Sequence, residues 1–194
     1  MIFKRILVEK ATNKKWYHVS RDEIRGKFRL TSQGIHLAQD ISVCKGLVDV
    51  RGYSNPHYYE VRITIPTKPL FIDADLMMWD ASNIATAIIS KINNGTFEGA
   101  SDGLSDDGTN YKEDNPHSLI KTTRFTQNDI RTLKSFTRGN GGSTESDFRK
   151  FADFLKSKGY NCIYYKNYSE VDNGVGSMIL FSPDDCEIIK EIKI

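Results

Sequence analysis

Two histidines stand in short segments whose pattern favours β-strands. His18 lies within Trp16-Tyr17-His18-Val19-Ser20, and His36 lies within Gly34-Ile35-His36-Leu37-Ala38. An imidazole near neutral pH can exchange a proton, form hydrogen bonds through either nitrogen, or stack on a planar ring. A strand histidine can equally be a buried side chain with satisfied hydrogen bonds, so the residue type alone leaves both roles open.

The loop and metal motifs of common enzymes are missing from the sequence. Gly174-Val175-Gly176 lacks the third glycine and the following helix of a dinucleotide-binding loop, and no HExxH helix or nucleophile elbow occurs. The cysteines, Cys44, Cys162 and Cys186, are odd in number and lack close paired spacing. This pattern argues against a disulfide framework and a zinc site, and we expect buried reduced thiols and no metal.

Length and composition favour one domain over residues 1–194. The chain has 194 residues, of which 39% are hydrophobic and 27% are charged, and this is enough apolar material for one core. No apolar run approaches the roughly 18 residues of a spanning helix, and charges interrupt residues 1–15 too often for a secretory signal. We expect a cytoplasmic protein of a bacterial or host cell, without a membrane partner.

Charge is distributed unevenly along the chain. Residues 1–29 carry nine basic and three acidic side chains, whereas residues 93–115 carry six acidic and one basic side chain. A basic face can attract nucleic acid, an acidic partner or cofactor phosphates, although most charged runs are solvated surface. Residues 93–117 have almost no apolar periodicity, and we interpret them as a mobile acidic insert.

Apolar periodicity predicts the elements that must position the histidines. Strand patterns occupy residues 2–8, 16–19, 35–38, 58–65, 162–165, 177–181 and 187–194, with a short apolar piece at 70–72. Helix patterns occupy residues 82–93, a segment capped by Thr126, and residues 145–158. Strands mixed with a few helices predict an α+β fold with a mainly antiparallel sheet and flanking helices.

Three segments in this order resemble the signature of the ADP-ribosyltransferase superfamily, in its diphtheria-toxin and poly(ADP-ribose) polymerase branch. That branch carries an H-G-S or H-G-T strand, a G-I-Y-F-A strand and an E-Y-I-V-Y strand. The small transferases of phage and mobile elements are more similar still: they often read Y-H-G-T-S, then G-I-H-F-G, and end with G-Y-D-G-I-Y and a V-F-D-P strand, which makes four segments. The matching segments here are Tyr17-His18-Val19-Ser20, Gly34-Ile35-His36-Leu37-Ala38, Gly159-Tyr160-Asn161-Cys162-Ile163-Tyr164 and Ile179-Leu180-Phe181-Ser182-Pro183.

The resemblance implies an ADP-ribosyltransferase-like split antiparallel sheet, with NAD as substrate in the cleft between its two halves. It also implies that His18 hydrogen-bonds a ribose hydroxyl, with the backbone at Val19 beside the nicotinamide carboxamide. His36, at the tyrosine position of the polymerases, would stack on nicotinamide. Gly34 and Ser20 would line the cofactor site, and Arg25 or Arg29 would contact the pyrophosphate.

Two positions depart from the family pattern. Val19 stands where the family has glycine, and a β-branched side chain restricts the backbone there. Ser177 falls on the polymerase glutamate and supplies no carboxylate. The preceding turn offers Glu170, which we expect to be the catalytic acid, and Asp172 as the alternative.

The function that the resemblance implies is an NAD-dependent mono-ADP-ribosyltransferase. It would modify a host macromolecule, either protein or nucleic acid, as a phage or bacterial conflict toxin or effector, with an antitoxin or inhibitor protein as a further partner. One alternative is an NAD glycohydrolase, in which water takes the place of the acceptor. The other is a catalytically silent binding or inhibitor module that keeps the transferase fold.

Overall fold

The computed structural model describes residues 14–72, 76, 78–93, 125–137, 144–167 and 175–194. The strands are β1 Trp16–Ser20, β2 Ile35–Ala38, β3 His57–Ile63, β4 Pro69–Ile72, β5 Cys162–Asn167, β6 Val175–Leu180 and β7 Cys186–Ile192. The α-helices are α1 Ile41–Arg51, α2 Ala81–Asn93, α3 Gln127–Phe136 and α4 Glu145–Ser157. The predicted strand at 2–8 and the insert beyond residue 93 lie outside the described residues.

The strands form one mixed sheet in the order β4-β5-β6-β2-β1-β3-β7. Every recorded pairing is antiparallel except that of β4 with β5, which is parallel. The predicted α+β class with a mainly antiparallel sheet and flanking helices is therefore confirmed. The apolar piece at 70–72 belongs to β4, and its partner is β5, which follows about 90 residues later in the chain.

The sheet opens between β1 and β2. These two strands share a single pair of register partners, Tyr17 with Ala38, whereas β1 pairs with β3 along its whole length from Trp16 to Ser20. On the other side, β2 pairs with β6 from Ile35 to Ala38. The two segments that carry the histidines thus border the opening from opposite sides.

Side-chain caps explain where the helices begin. Thr126 and Asp129 form a reciprocal capping box at α3, as the sequence predicts, and Thr144 with Asp147 forms a second one at α4. The carboxylate of Asp80 accepts a hydrogen bond from the backbone N–H of Asn83 in the first turn of α2. Such caps satisfy N–H groups that have no partner within their own helix.

Helix α1 is not among the predicted elements. It begins at Asp40, whose side chain accepts a hydrogen bond from the Ser42 N–H, and it ends at Gly52 in the left-handed conformation. Its buried residues Val43 and Cys44 pack over Val19, Ala38 and Tyr58 in a small cluster on one face of the sheet. This cluster lies beside the opening between β1 and β2.

The main core lies under the other three helices. It joins Leu70, Ile163 and Ile179 of the sheet to residues of α2, α3 and α4. The helical members that are fully or almost fully buried are Ala81, Ile84, Ala85, Ile88, Leu133, Phe148, Phe151, Ala152 and Leu155.

Candidate functional site

A hydrogen bond joins the two histidine segments across the opening in the sheet. The Nδ1 atom of His18 lies 2.8 Å from the backbone carbonyl oxygen of His36. A carbonyl oxygen only accepts, so His18 Nδ1 carries the proton and donates it. The ring of His18 is therefore held in one orientation by the strand on the other side of the opening.

The remaining nitrogen of His18 is an acceptor as long as the ring is neutral. Burial lowers the pKa of His18, and its hydrogen bond to the His36 carbonyl opposes that effect only in part. The ring packs edge-on against Phe28, with centroids 4.8 Å apart, and also lies beside Tyr59. At neutral pH, Nε2 of His18 can therefore accept a hydrogen bond from a ligand hydroxyl.

His36 uses both of its ring nitrogens. Nε2 lies 2.9 Å from the carbonyl oxygen of Gln33, and Nδ1 lies 2.9 Å from the hydroxyl of Tyr165. Because the Gln33 carbonyl must accept, Nε2 carries the proton, and Tyr165 donates its hydroxyl proton to Nδ1. This arrangement leaves the flat face of the ring, and not its nitrogens, for contact with a ligand.

Burial is the main reason why the pKa of His36 is lowered to about 4. The hydrogen bond to Gln33 acts in the opposite direction, and the nearby charge of His18 lowers the pKa further. His36 is thus neutral at physiological pH. A neutral imidazole can lie against an aromatic cation without charge repulsion.

The strand register puts the two rings on opposite faces of the sheet. Tyr165, Ser177 and Ala38 are successive register partners across β5, β6 and β2, so they share one face. His36 stands two residues before Ala38 and belongs to the same face. His18 alternates to the other face, on which its register partner Tyr59 also lies. The two strands therefore meet at the opening, but the imidazole rings of His18 and His36 lie on opposite faces of the sheet.

Other predicted cofactor residues have structural contacts of their own. Val19 is buried in the cluster under α1, and Ser20 accepts a hydrogen bond from the Asp22 N–H. Gly34 has a φ of +78°, and a Cβ there would lie 2.6 Å from Phe148 Cζ and closer still to Ile179. Packing thus requires glycine at position 34, whatever ligand the site binds.

The two predicted arginines lie on the exposed segment that follows β1. Arg25 forms an ion pair with Glu23 at 2.9 Å, and Arg29 stands between the buried side chains of Phe28 and Leu30. Since Phe28 contacts His18, this segment passes directly beside the histidine. Arg29 directly follows Phe28 in the sequence, whereas Arg25 is paired with Glu23.

The predicted acids Glu170 and Asp172 lie outside the described residues, between β5 and β6. Ser177, at the position of the family glutamate, is buried on β6 between its register partners Tyr165 and Ala38. Within the described part of the chain, its hydroxyl has no hydrogen-bond partner. The structure thus describes both histidines and this serine, but not the acids.

Sequence reasoning missed Tyr165, although it placed Trp79 in the core or at the edge of the cleft, where it is buried. Tyr165 holds His36 through its hydroxyl, and Trp79 packs against Tyr165 with ring centroids 3.8 Å apart and ring planes tilted by 31°. Tyr164 and Tyr165 are adjacent and look alike in the sequence. Only the pairing of β5 with β6 decides which of them shares a face with His36.

The cysteines are free and buried, as predicted. Burial raises the pKa of Cys186 to about 12 and also raises that of Cys162, so neither is a reactive thiolate. No group of three or more metal-ligating side chains occurs within the described residues. Over the same ranges, no helix is long and apolar enough to cross a membrane.

Comparisons with protein-family models, with curated proteins and with solved structures gave no significant match to this chain.

Proposed function

We propose that the protein is an NAD-dependent mono-ADP-ribosyltransferase that modifies a macromolecular acceptor. The observation that carries the proposal is the position of the segments that resemble the family. Two of them lie near residues 17–38 and two near residues 159–183, yet they lie on the neighbouring strands β5, β6, β2 and β1. The opening between β1 and β2 supports an NAD cleft there, because the His18 and His36 strands border it from opposite sides.

The chemistry of the reaction fits two neutral imidazoles. The bond between the ribose C1′ and the nicotinamide nitrogen breaks, nicotinamide leaves with the electron pair, and C1′ becomes an oxocarbenium-like centre. Nε2 of His18 accepts a hydrogen bond from a ribose hydroxyl and orients the sugar. The face of His36 stacks on the nicotinamide ring, while Tyr165 and Gln33 hold the edge of His36.

The acceptor completes the reaction. Its nucleophilic atom forms the new bond to C1′ and loses a proton to a carboxylate, for which we propose Glu170, with Asp172 as the alternative. Arg29 or Arg25 would bind the pyrophosphate, since the exposed segment between β1 and β2 passes His18. By its likeness to phage transferases, the protein would be a cytoplasmic conflict effector controlled by an antitoxin or inhibitor protein.

Labelled NAD and a whole-cell lysate test the proposal. The purified protein should transfer label, and protease or nuclease treatment identifies the acceptor as protein or nucleic acid. His18→Ala should reduce transfer by about 10²-fold, because a misplaced sugar loses the reactive geometry. His57→Ala is the matched control, since His57 is a strand histidine that pairs with Glu191 away from the opening. Equal loss in both variants would contradict the role of His18.

The acid is tested in the same assay. Glu170→Ala should abolish transfer and Asp172→Ala should leave it nearly unchanged, whereas the opposite result would assign the acid to Asp172. Free nicotinamide without transferred label would indicate a glycohydrolase.

A second candidate is a silent binding module, and one observation favours it. Ser177 stands at the position of the family glutamate and provides no carboxylate. NAD binding without turnover in wild type, with both acids intact, would support this function over the transferase.

A further inference from the structure

The outer edge of β7 is a free edge of the sheet. Among the described residues, β7 pairs with β3 and with no other strand. Ile189 on β7 and Ile194 just beyond it are two of the four large hydrophobic side chains that are exposed in the same ranges. The strand at the opposite edge, β4, is instead buried at every residue. Native proteins cover or protect uncovered edges, because such edges pair readily with other chains.

A second copy of the chain fits this edge poorly. Two β7 strands related by a two-fold axis would pair antiparallel. Centring the pair on Ile189 sets Glu187 opposite Glu191, and centring it on Lys190 or on Glu191 sets that residue opposite itself. Like charges directly opposite each other destabilise a sheet. The occupant of the edge should therefore be a different segment.

The chain itself supplies a segment within reach. Residues 2–8 have a strand pattern and precede β1, which lies two strands from β7 in the order β1-β3-β7. The connection, residues 9–15, can extend over about 23 Å at roughly 3.3 Å per residue. A strand added beyond β7 would lie three strand spacings from β1, or about 14 Å. The connection is long enough.

The register fixes the direction of such a strand. Trp16, at the start of β1, opposes Val61 of β3, and Val61 opposes Ile188 near the start of β7. A segment that ends at Val8 beside this end of β7 returns to Trp16 by the shortest path. The added strand would therefore run antiparallel to β7.

Charge and hydrophobicity also match. The register with β3 places Glu187 and Glu191 on opposite faces of β7, and both side chains are nearly half exposed. In an extended segment, Lys4 and Arg5 likewise lie on opposite faces, and the other residues from 2 to 8 are apolar. Each face of β7 would thus gain one cation together with apolar side chains.

We propose that residues 2–8 pair with the free edge of β7 as a further, antiparallel strand of the same chain. This strand hydrogen-bonds the backbone groups of β7 that point away from β3, and it brings apolar side chains to the edge that carries Ile189. It also protects the edge from pairing with another polypeptide. The inference does not depend on the proposed function.

Hydrogen exchange of the full chain, followed residue by residue by NMR, tests the pairing. Backbone N–H groups along a strand point alternately to its two sides, so a free edge leaves about every second amide of β7 to exchange quickly. With the added strand in place, those outer amides should exchange about 10²-fold more slowly than unpaired ones, and amides within residues 2–8 should be protected as well. Alternating protection along β7 would overturn the inference.

Proline substitutions identify the segment. Of two adjacent N–H groups in the added strand, one points to β7, so Ile6→Pro or Leu7→Pro should speed exchange of the outer β7 amides about tenfold. Ala11→Pro is the matched control, because residue 11 lies in the connection. No acceleration in either strand variant, or equal acceleration in the control, would contradict the pairing.

Sedimentation shows which chain supplies the strand. Protection of the outer β7 amides should persist on dilution in a monomer of 22.1 kDa. Protection that appears only together with a dimer would overturn the inference in favour of a second copy. Outer amides that exchange quickly in the pure protein and slowly in a cell lysate would overturn it in favour of a partner protein.

Discussion

The two halves of the sheet are built differently. On one side of the opening, four strands lie against the helices α2, α3 and α4; these strands are β4, β5, β6 and β2. Every residue is buried in the segments 69–72, 162–165 and 176–181. On the other side, β1, β3 and β7 have one face under α1, and β7 is mostly half-buried or exposed. We refer to these as the buried half and the open half.

The two halves differ in the extent of their apolar packing. In the open half, Trp16, Val61 and Ile63 also belong to the main core, but β7 is largely uncovered and cross-strand ion pairs connect it to β3. These pairs are Arg62 with Glu187, Glu60 with Lys190, and His57 with Glu191. Exposed ion pairs contribute little to stability, so most of the unfolding free energy should reside in the buried half. The candidate site lies at the boundary between the two halves.

Deleting a core ring of the buried half should have the largest effect. Phe148 is fully buried, and its ring packs against Phe151 and Phe181. Phe148→Ala should reduce the unfolding free energy by about 3–5 kcal/mol through lost burial and a cavity. Chemical denaturation followed by circular dichroism measures this change.

Ile189→Ala is the counterpart in the open half. Ile189 on β7 is 44% exposed, so the variant should stay within about 0.5 kcal/mol of wild type. A loss as large as that of Phe148→Ala would mean that β7 is packed far more tightly than the exposure of Ile189 indicates.

Gly34→Ala should lower the unfolding free energy by about 2–4 kcal/mol, because backbone strain and a steric clash act together. Alanine is strained at the φ of +78°, and its Cβ would meet Phe148 and Ile179. Gly52, which ends α1 in the open half, also has a positive φ, but a Cβ there would meet nothing within 4 Å. Gly52→Ala should therefore cost only about 1–2 kcal/mol. Both variants introduce backbone strain, but only Gly34→Ala also introduces a clash, so the difference between their melting temperatures measures the clash. Equal melting temperatures would contradict the clash at Gly34.

Local signals in the sequence predict most of the elements. The capping residue Thr126 and the apolar spacing of Phe148, Phe151 and Leu155 mark two helices that the structure contains. Helix α1 has no such spacing, since Val43, Val48 and Val50 favour strands and Gly46 interrupts it. Burial of Val43 and Cys44 under the sheet outweighs this weak propensity.

The sequence predicts those members of the site whose residue type and immediate neighbours are distinctive. His18 and His36 stand out by type and by the segments around them. The fold adds Gln33, Tyr165 and Ser177 to the site. Gln33 lies in the turn before β2, whereas Tyr165 and Ser177 are placed by the pairing of β5 with β6 and of β6 with β2. Long-range pairing of this kind leaves no periodic pattern in the sequence.

Acid should weaken the fold through the boundary histidines. The pKa of His36 is lowered from 6.5 to about 4, so the unfolded chain binds its proton at a higher pH than the folded chain does. The stabilisation from neutral His36 is complete above pH 6.5 and is lost progressively as pH falls toward 4. Protonation of His36 should lower the unfolding free energy by about 1–2 kcal/mol between pH 7.5 and pH 5. His18, whose pKa is also lowered, should act in the same direction.

Urea denaturation of wild type and His36→Gln at the two pH values isolates this contribution. The variant cannot take up the proton at position 36, so its stability should fall less between pH 7.5 and 5. Identical pH dependence in both proteins would show that His36 is protonated as easily in the folded state as in the unfolded chain.

A small effect should also come from the ion pairs of the open half. Glu60 is 13% exposed at its side chain and lies 3.4 Å from both Lys15 and Lys190, which are themselves exposed. Glu60→Gln keeps the shape but removes the charge, and it should cost about 0.2–1 kcal/mol. Because salt screens exposed charges, the difference from wild type should shrink further in 1 M salt, where the Debye length is about 3 Å. A loss near that of Phe148→Ala that persists in salt would mean that charge, and not apolar packing, stabilises the open half.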